Sequence, residues 1–196
     1  TGTELFTLTG HEGWVWSAFY SPDGQWIVTA SGDKTAKVWD ANTGKELMTL
    51  KGHEGEVWSA AYSPDGQRIV TGSVEKIPKV WDANTGTELM TLAGHGGPLG
   101  SAMYSPDGHQ IVTASFDRTA KVWDAKTGKE LFTLKGHDEG VISAAYSPDE
   151  DRIVTASGDK TAKVWDAQTG KELMTLTGHE DGVESAAYSL DGQQIV

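Results

Sequence analysis

The sequence contains no cysteine, which excludes disulfides and thiolate-based metal sites and fits a reducing compartment. It has no long apolar run: nothing approaches the roughly 18 unbroken apolar residues of a membrane helix. The first ten residues, TGTELFTLTG, carry no basic stretch ahead of an apolar one, so they do not read as a secretory signal. Basic residues are scarce, 16 Lys+Arg against 28 Asp+Glu, for a formal net charge of −12. That balance repels a phosphate backbone, and the lysines recur beside carboxylates instead of gathering on a basic face. The expectation is a cytoplasmic protein with neither nucleic acid nor membrane as partner.

Recognisable cofactor and metal motifs are missing as well. No phosphate-binding glycine loop or zinc motif occurs. The acidic clusters Asp138-Glu139, Asp149-Glu150-Asp151 and Glu180-Asp181 lack the alternating oxygen spacing of a calcium loop and read as solvated surface. No cofactor, no metal and no enzymatic activity are expected.

What is present is a repeat. Gly-His recurs at His11, His53, His95, His137 and His179, always 42 residues apart, and Trp-Asp recurs on the same period at Trp39, Trp81, Trp123 and Trp165. The chain therefore reads as one repeat domain over 1–196, with full copies at 11–52, 53–94, 95–136 and 137–178 and an incomplete fifth at 179–196. Residues 1–10 match the tail of a copy and are expected to supply the outer strand of a preceding or closing blade.

Each copy reads as four short strands. In the first, the alternating VWSAFYS (15–21) ends at the turn Ser-Pro-Asp-Gly. WIVTAS (26–31), a Gly-Asp-Lys turn, TAKVWD (35–40), an Asn-Thr-Gly-Lys turn and ELMTL (46–50) follow. β-branched and aromatic residues fill the strands, and helical periodicity is absent. A lone four-stranded sheet cannot cover both of its apolar faces, so stacking against the next copy is required, and the fold class is an all-β propeller.

With Gly-His, Ser-Pro-Asp-Gly and Asp-Lys-Thr-Ala-Lys-Val-Trp-Asp in register, the chain resembles the WD-repeat family over its whole length. Its near-identical copies look like the family's bacterial members, which are often fused to signalling or effector domains. The resemblance implies a propeller, usually seven-bladed, working as a rigid platform for protein or peptide partners. At 4.7 copies the chain covers part of such a ring. A fragment of a longer repeat protein, a head-to-tail oligomer and a strained five-blade ring all stay open.

The copies also share a hydroxyl–imidazole–carboxylate–indole set: His11, Thr29, Asp33 and Trp39; His95, Thr113, Asp117 and Trp123; His137, Thr155, Asp159 and Trp165. It has the ingredients of a nucleophilic triad. A triad is built once, however, whereas this set recurs, and the resemblance implies a structural hydrogen-bonded chain. Copy two keeps His53, Thr71 and Trp81 but carries Glu75 for the aspartate and Ile77-Pro78 for Thr-Ala. Glu75 must bend back to reach His53, and Pro78 removes a donor inside an expected strand. Drift among copies, a loosened blade or a partner at this edge would each produce that pattern.

Positions that differ between copies fall at the start of the first strand and the tip of the second hairpin. In the family these ring the central channel on the partner-binding face. By phase they include Trp14, Trp16, Glu56, Trp58, Phe116, Ile142 and Glu184, beside the small Gly100 and Gly158. Clustered tryptophans suit a protein or peptide hot spot, and also the face of a sugar ring. The expected function is a non-enzymatic scaffold using this rim, with a small-molecule or glycan-binding module as the alternative and self-association as a further possibility.

Overall fold

The computed structural model describes residues 4–196 of the chain and contains sixteen strands and no helix among them. The first blade comprises β1 (Val15–Tyr20), β2 (Trp26–Ser31), β3 (Ala36–Asp40) and β4 (Glu46–Leu50). The second holds β5 (Val57–Tyr62), β6 (Arg68–Ser73), β7 (Lys79–Asp82) and β8 (Glu88–Thr91). The third holds β9 (Leu99–Tyr104), β10 (Gln110–Ser115), β11 (Thr119–Asp124) and β12 (Glu130–Lys135). The fourth holds β13 (Val141–Tyr146), β14 (Arg152–Ser157), β15 (Ala162–Asp166) and β16 (Glu172–Leu176). Every blade is an antiparallel four-stranded sheet in sequential order, as short turns between consecutive strands require.

The core lies between blades. Val28, Val38 and Leu50 of blade one pack on Val57, Tyr62, Ile69 and Trp81 of blade two. The same layer recurs as Val70, Val80 and Leu92 against Tyr104, Ile111 and Trp123. It appears again as Val112, Val122 and Leu134 against Val141, Ile153 and Trp165. Both faces of a middle blade are thus apolar, and its second and third strands place Val, Ile and Trp side chains on both of them. The inner strands β1, β5, β9 and β13 lie in file, each against the next.

The invariant serine of the inner strand acts in this interface. Ser101 Oγ accepts the Ala144 N–H at 3.1 Å, and Ser143 Oγ accepts the Ala186 N–H at 3.2 Å. The same oxygen is buried without a partner at Ser17 and Ser59.

Residues 4–10 form no strand, and none of the described strands pairs with them. They nonetheless occupy a repeat-equivalent place. Phe6 covers Gly44 as Met48 covers Gly86 and Phe132 covers Gly170. The fifth copy forms no full strand: its ladder consists of the Tyr188–Ile195 bridge, with backbone bonds between Ala187 and Val196 and from Ser189 to Gln194. Its Ala186, Val183, Tyr188 and Ile195 pack on Val154 and Val164 of blade four. On β1, Tyr20 is 65% exposed, whereas Tyr62 and Tyr104, each packed into the core with the preceding blade, are 8% exposed.

Each inner strand starts with a bulge that the repeat pattern alone does not reveal. Val15 pairs with Ser31 but Ser17 with Ala30, leaving Trp16 unpaired. Trp58, Gly100 and Ile142 are skipped in the same way. A bulged residue leaves the in–out alternation, so these four positions are re-aimed relative to the strand that carries them.

Candidate functional site

The histidine chain forms in all four blades. In blade one Trp39 Nε1–H donates to Thr29 Oγ1 at 2.8 Å. The Thr29 hydroxyl is 2.7 Å from His11 Nε2, and His11 Nδ1 is 2.7 Å from Asp33 Oδ2. One protonation scheme satisfies every group: the indole donates to the hydroxyl, the hydroxyl to neutral Nε2, and Nδ1–H to the carboxylate. Asp33 also accepts the Glu12 N–H and, on its other oxygen, the Thr35 N–H and hydroxyl. The carboxylate thereby ties the loop ahead of β1 to the β2–β3 turn.

His95–Thr113–Trp123 with Asp117 and His137–Thr155–Trp165 with Asp159 repeat these distances within 0.1 Å. Burial alone would raise the carboxyls of Asp33, Asp117 and Asp159. Bonds from Thr35, Thr119 and Thr161, from the histidines and from backbone N–H groups outweigh it and hold all three at about 2. Burial lowers His53, His95 and His137 below the usual imidazole value, partly offset by the carboxylate each one faces. Thr71, Thr113 and Thr155 are fully buried, and each oxygen already accepts an indole N–H. Each hydroxyl is thus enclosed within its blade, inside a hydrogen-bonded clamp that links the indole to the loop ahead of the inner strand.

Blade two shows how glutamate is accommodated. Glu75 reaches both partners on the loop side: one oxygen closely contacts His53 Nδ1, and the other accepts the Glu54 N–H at 2.7 Å. The longer side chain therefore fits that side. Both oxygens are spent there, and Ile77 offers no hydroxyl, so the two turn bonds made through Thr35, Thr119 and Thr161 have no counterpart. Beside Pro78, β7 and β8 are the shortest strands of the molecule.

A second repeated network went unread in the sequence. Lys37 Nζ donates to Glu46 Oε2 at 2.8 Å and to Thr49 Oγ1 at 3.0 Å, with Lys37 only 9% exposed. Lys121 and Lys163 do the same, and Lys79 keeps the glutamate bond. Its signal was available as Lys and Glu nine residues apart, with Thr three further on, in every full copy. These lysines are nearly buried ion-pair donors.

At the loop end of the inner strands, four aromatic side chains form a ladder across three blades. Trp14 and Trp16 have ring centroids 5.6 Å apart, Trp16 and Trp58 6.3 Å, and Trp58 and Phe116 5.7 Å. Trp14 is 77% exposed, Trp16 47% and Phe116 44%; Trp58 is half-buried. Glu56 joins them, its Oε2 accepting the Trp58 Nε1–H at 3.1 Å. Ile142 is half-buried and Glu184 exposed, and neither makes an aromatic or hydrogen-bonded contact with the ladder among the described residues. Gly100 has a packing reason for its size: the Ile142 carbonyl occupies the place where its Cβ would stand. Phe116 likewise lies over Gly140.

Residues 2–40, 44–82, 86–124, 128–166 and 170–196 match the family described as WD domain, G-beta repeat. A 36-residue segment is 53% identical to the pre-mRNA-splicing factor PRP46 of Yarrowia lipolytica, covering 18% of this chain and 8% of that protein. Lissencephaly-1 homolog 1 of Paramecium tetraurelia is 49% identical over 39 residues, 20% of this chain and 10% of its own length. The nuclear distribution protein nudF of Aspergillus flavus is 44% identical over 41 residues, 21% and 9%. Each match is about one repeat long and spans a tenth or less of the relative.

Proposed function

The chain belongs to the WD-repeat family, and from that premise we propose that it is a non-enzymatic scaffold binding a protein or peptide through the loop-end rim of its inner strands. The observation that carries this reading is the ladder of the exposed Trp14, Trp16 and Phe116 with the half-buried Trp58, shared by three consecutive blades. Large rigid aromatics supply contact area at small entropic cost, and a cluster of them on a preformed surface is the usual composition of an interface hot spot. In this reading residues 1–196 act as one domain. The splicing and nuclear-distribution names of the relatives come with a single shared repeat, so they argue for a partner-binding platform without transferring either process.

The test is affinity capture from the source organism's lysate with wild type and a Trp16→Ala/Trp58→Ala variant. A Leu47→Ala/Leu89→Ala variant on the outer strands serves as control. Loss of partners in the first variant alone is expected. Equal retention by all three would move the site elsewhere. The same indoles could stack on sugar rings, and that second reading needs no charged group beside them.

A further inference from the structure

Resting on the rim reading above, we infer that the partner segment presents an arginine to the ladder. Its guanidinium face lies on the exposed Trp16 indole beside Trp58, and its edge meets the Glu56 carboxylate. Trp16 and Trp58 are the bulged residues of adjacent inner strands, 6.3 Å apart with their planes at 63°. Glu56 stands beside both. Its Oε2 takes the Trp58 Nε1–H, and its carboxyl lies 3.6 Å from the point where a side chain on Gly32 would begin. Trp16 Nε1 lies 3.5 Å from that same point. A bare glycine thus leaves open the place where one indole edge and one carboxylate converge.

Charge decides what enters. Among the described residues Glu56 forms no ion pair, whereas the lysines of β3, β7, β11 and β15 are already paired within their own blades. The neighbouring loops add the exposed Glu12 and Glu54. Lys34 and Lys76, the cations of the adjoining turns, make no ion pair with Glu56 among the described residues. With a formal net charge of −12, the surface attracts a cationic segment and repels an acidic peptide or a nucleic acid, though bases could stack on indoles. Guanidinium fits better than ammonium. It is planar, weakly hydrated and forked, so it can stack on an indole while offering two N–H groups to one carboxylate.

The probe is an acetylated, amidated pentapeptide Gly-Ser-Arg-Ser-Gly, with lysine or the neutral isostere citrulline at its centre as comparison arms. Binding to the whole chain is read by tryptophan fluorescence and by the indole N–H resonances of Trp16 and Trp58. The arginine peptide is expected to shift both resonances and to bind at least tenfold tighter than the citrulline peptide, the difference shrinking in high salt. Glu56→Gln, which keeps an acceptor for Trp58, should reduce arginine binding to the citrulline level without changing the melting temperature. Equal binding of arginine and citrulline peptides, an unaffected Glu56→Gln variant, or no response to arginine overturns the inference. If both peptides shift Trp16 and Trp58 equally, the rim reading stands and the arginine falls. If Trp16→Ala/Trp58→Ala binds the arginine peptide as wild type does, the rim reading itself falls.

Discussion

The backbone carbonyl of Ile142 occupies the space that a Cβ on Gly100 would fill, so the inner strands of blades three and four approach through a glycine. The bulged position that carries tryptophan in blades one and two cannot carry any side chain in blade three without moving a strand. Gly100→Ala is therefore expected to destabilise the fold by about 1–3 kcal/mol. Gly32→Ala, whose Cβ would meet its neighbours no closer than 3.5 Å, should cost under about 1 kcal/mol. Urea denaturation of the two variants checks the contrast; equal costs would mean that blades three and four separate freely.

The repeat-equivalent serines should behave oppositely. Ser101→Ala removes the acceptor of the Ala144 N–H and is expected to cost about 0.5–1.5 kcal/mol. Ser59→Ala removes a buried hydroxyl that has no partner and should be neutral or stabilising. Thermal melts of the pair decide it. A larger loss for Ser59→Ala would show that its hydroxyl is satisfied in solution.

Glu75 holds His53 as the aspartates hold theirs, so His53→Ala and His137→Ala should each cost about 1–3 kcal/mol. What blade two lacks is the turn side of the clamp. Glu75→Asp combined with Ile77→Thr restores a carboxylate oxygen and a hydroxyl for those bonds and should raise stability by about 0.5–1.5 kcal/mol. Either substitution alone should give less, and a double variant no better than the sum would argue against coupling between the two positions.

The clamps also fix the response to acid. His53, His95 and His137 sit below their usual value in the fold, so the unfolded chain takes up protons first as pH drops below ~6.5, and stability falls. Asp33, Asp117 and Asp159 titrate at about 2 in the fold. Their unfolded value is ~3.9, so a second loss follows as pH falls from about 4 towards 2. Melting temperatures from pH 8 to 3 should show both declines. His137→Gln should flatten the first, and an unchanged slope would mean that His137 does not titrate between the two states.

The inter-blade core and the strand order were legible because the sequence states them four times. Trp-Asp at a fixed 42-residue period and the alternating inner strands leave one way to stack. The histidine chain was legible for the same reason. The lysine–glutamate pair repeats as faithfully but went unread, since a lysine in a strand gives no sign of whether its neighbours cover it.

The sequence by itself determined the blade, its turns, its period and the residues of each clamp, because these rest on contacts inside one repeat or between equivalent ones. Tertiary structure alone decided which variable residues meet. Trp16, Trp58 and Phe116 lie in different blades, and their ladder depends on the bulges that carry the two tryptophans and on how closely neighbouring blades approach. Gly100, Ile142 and Glu184 occupy the same repeat position as those tryptophans and do not join them. Repeat phase gives the position along a strand, whereas a bulge and the packing of the next blade set where that side chain goes.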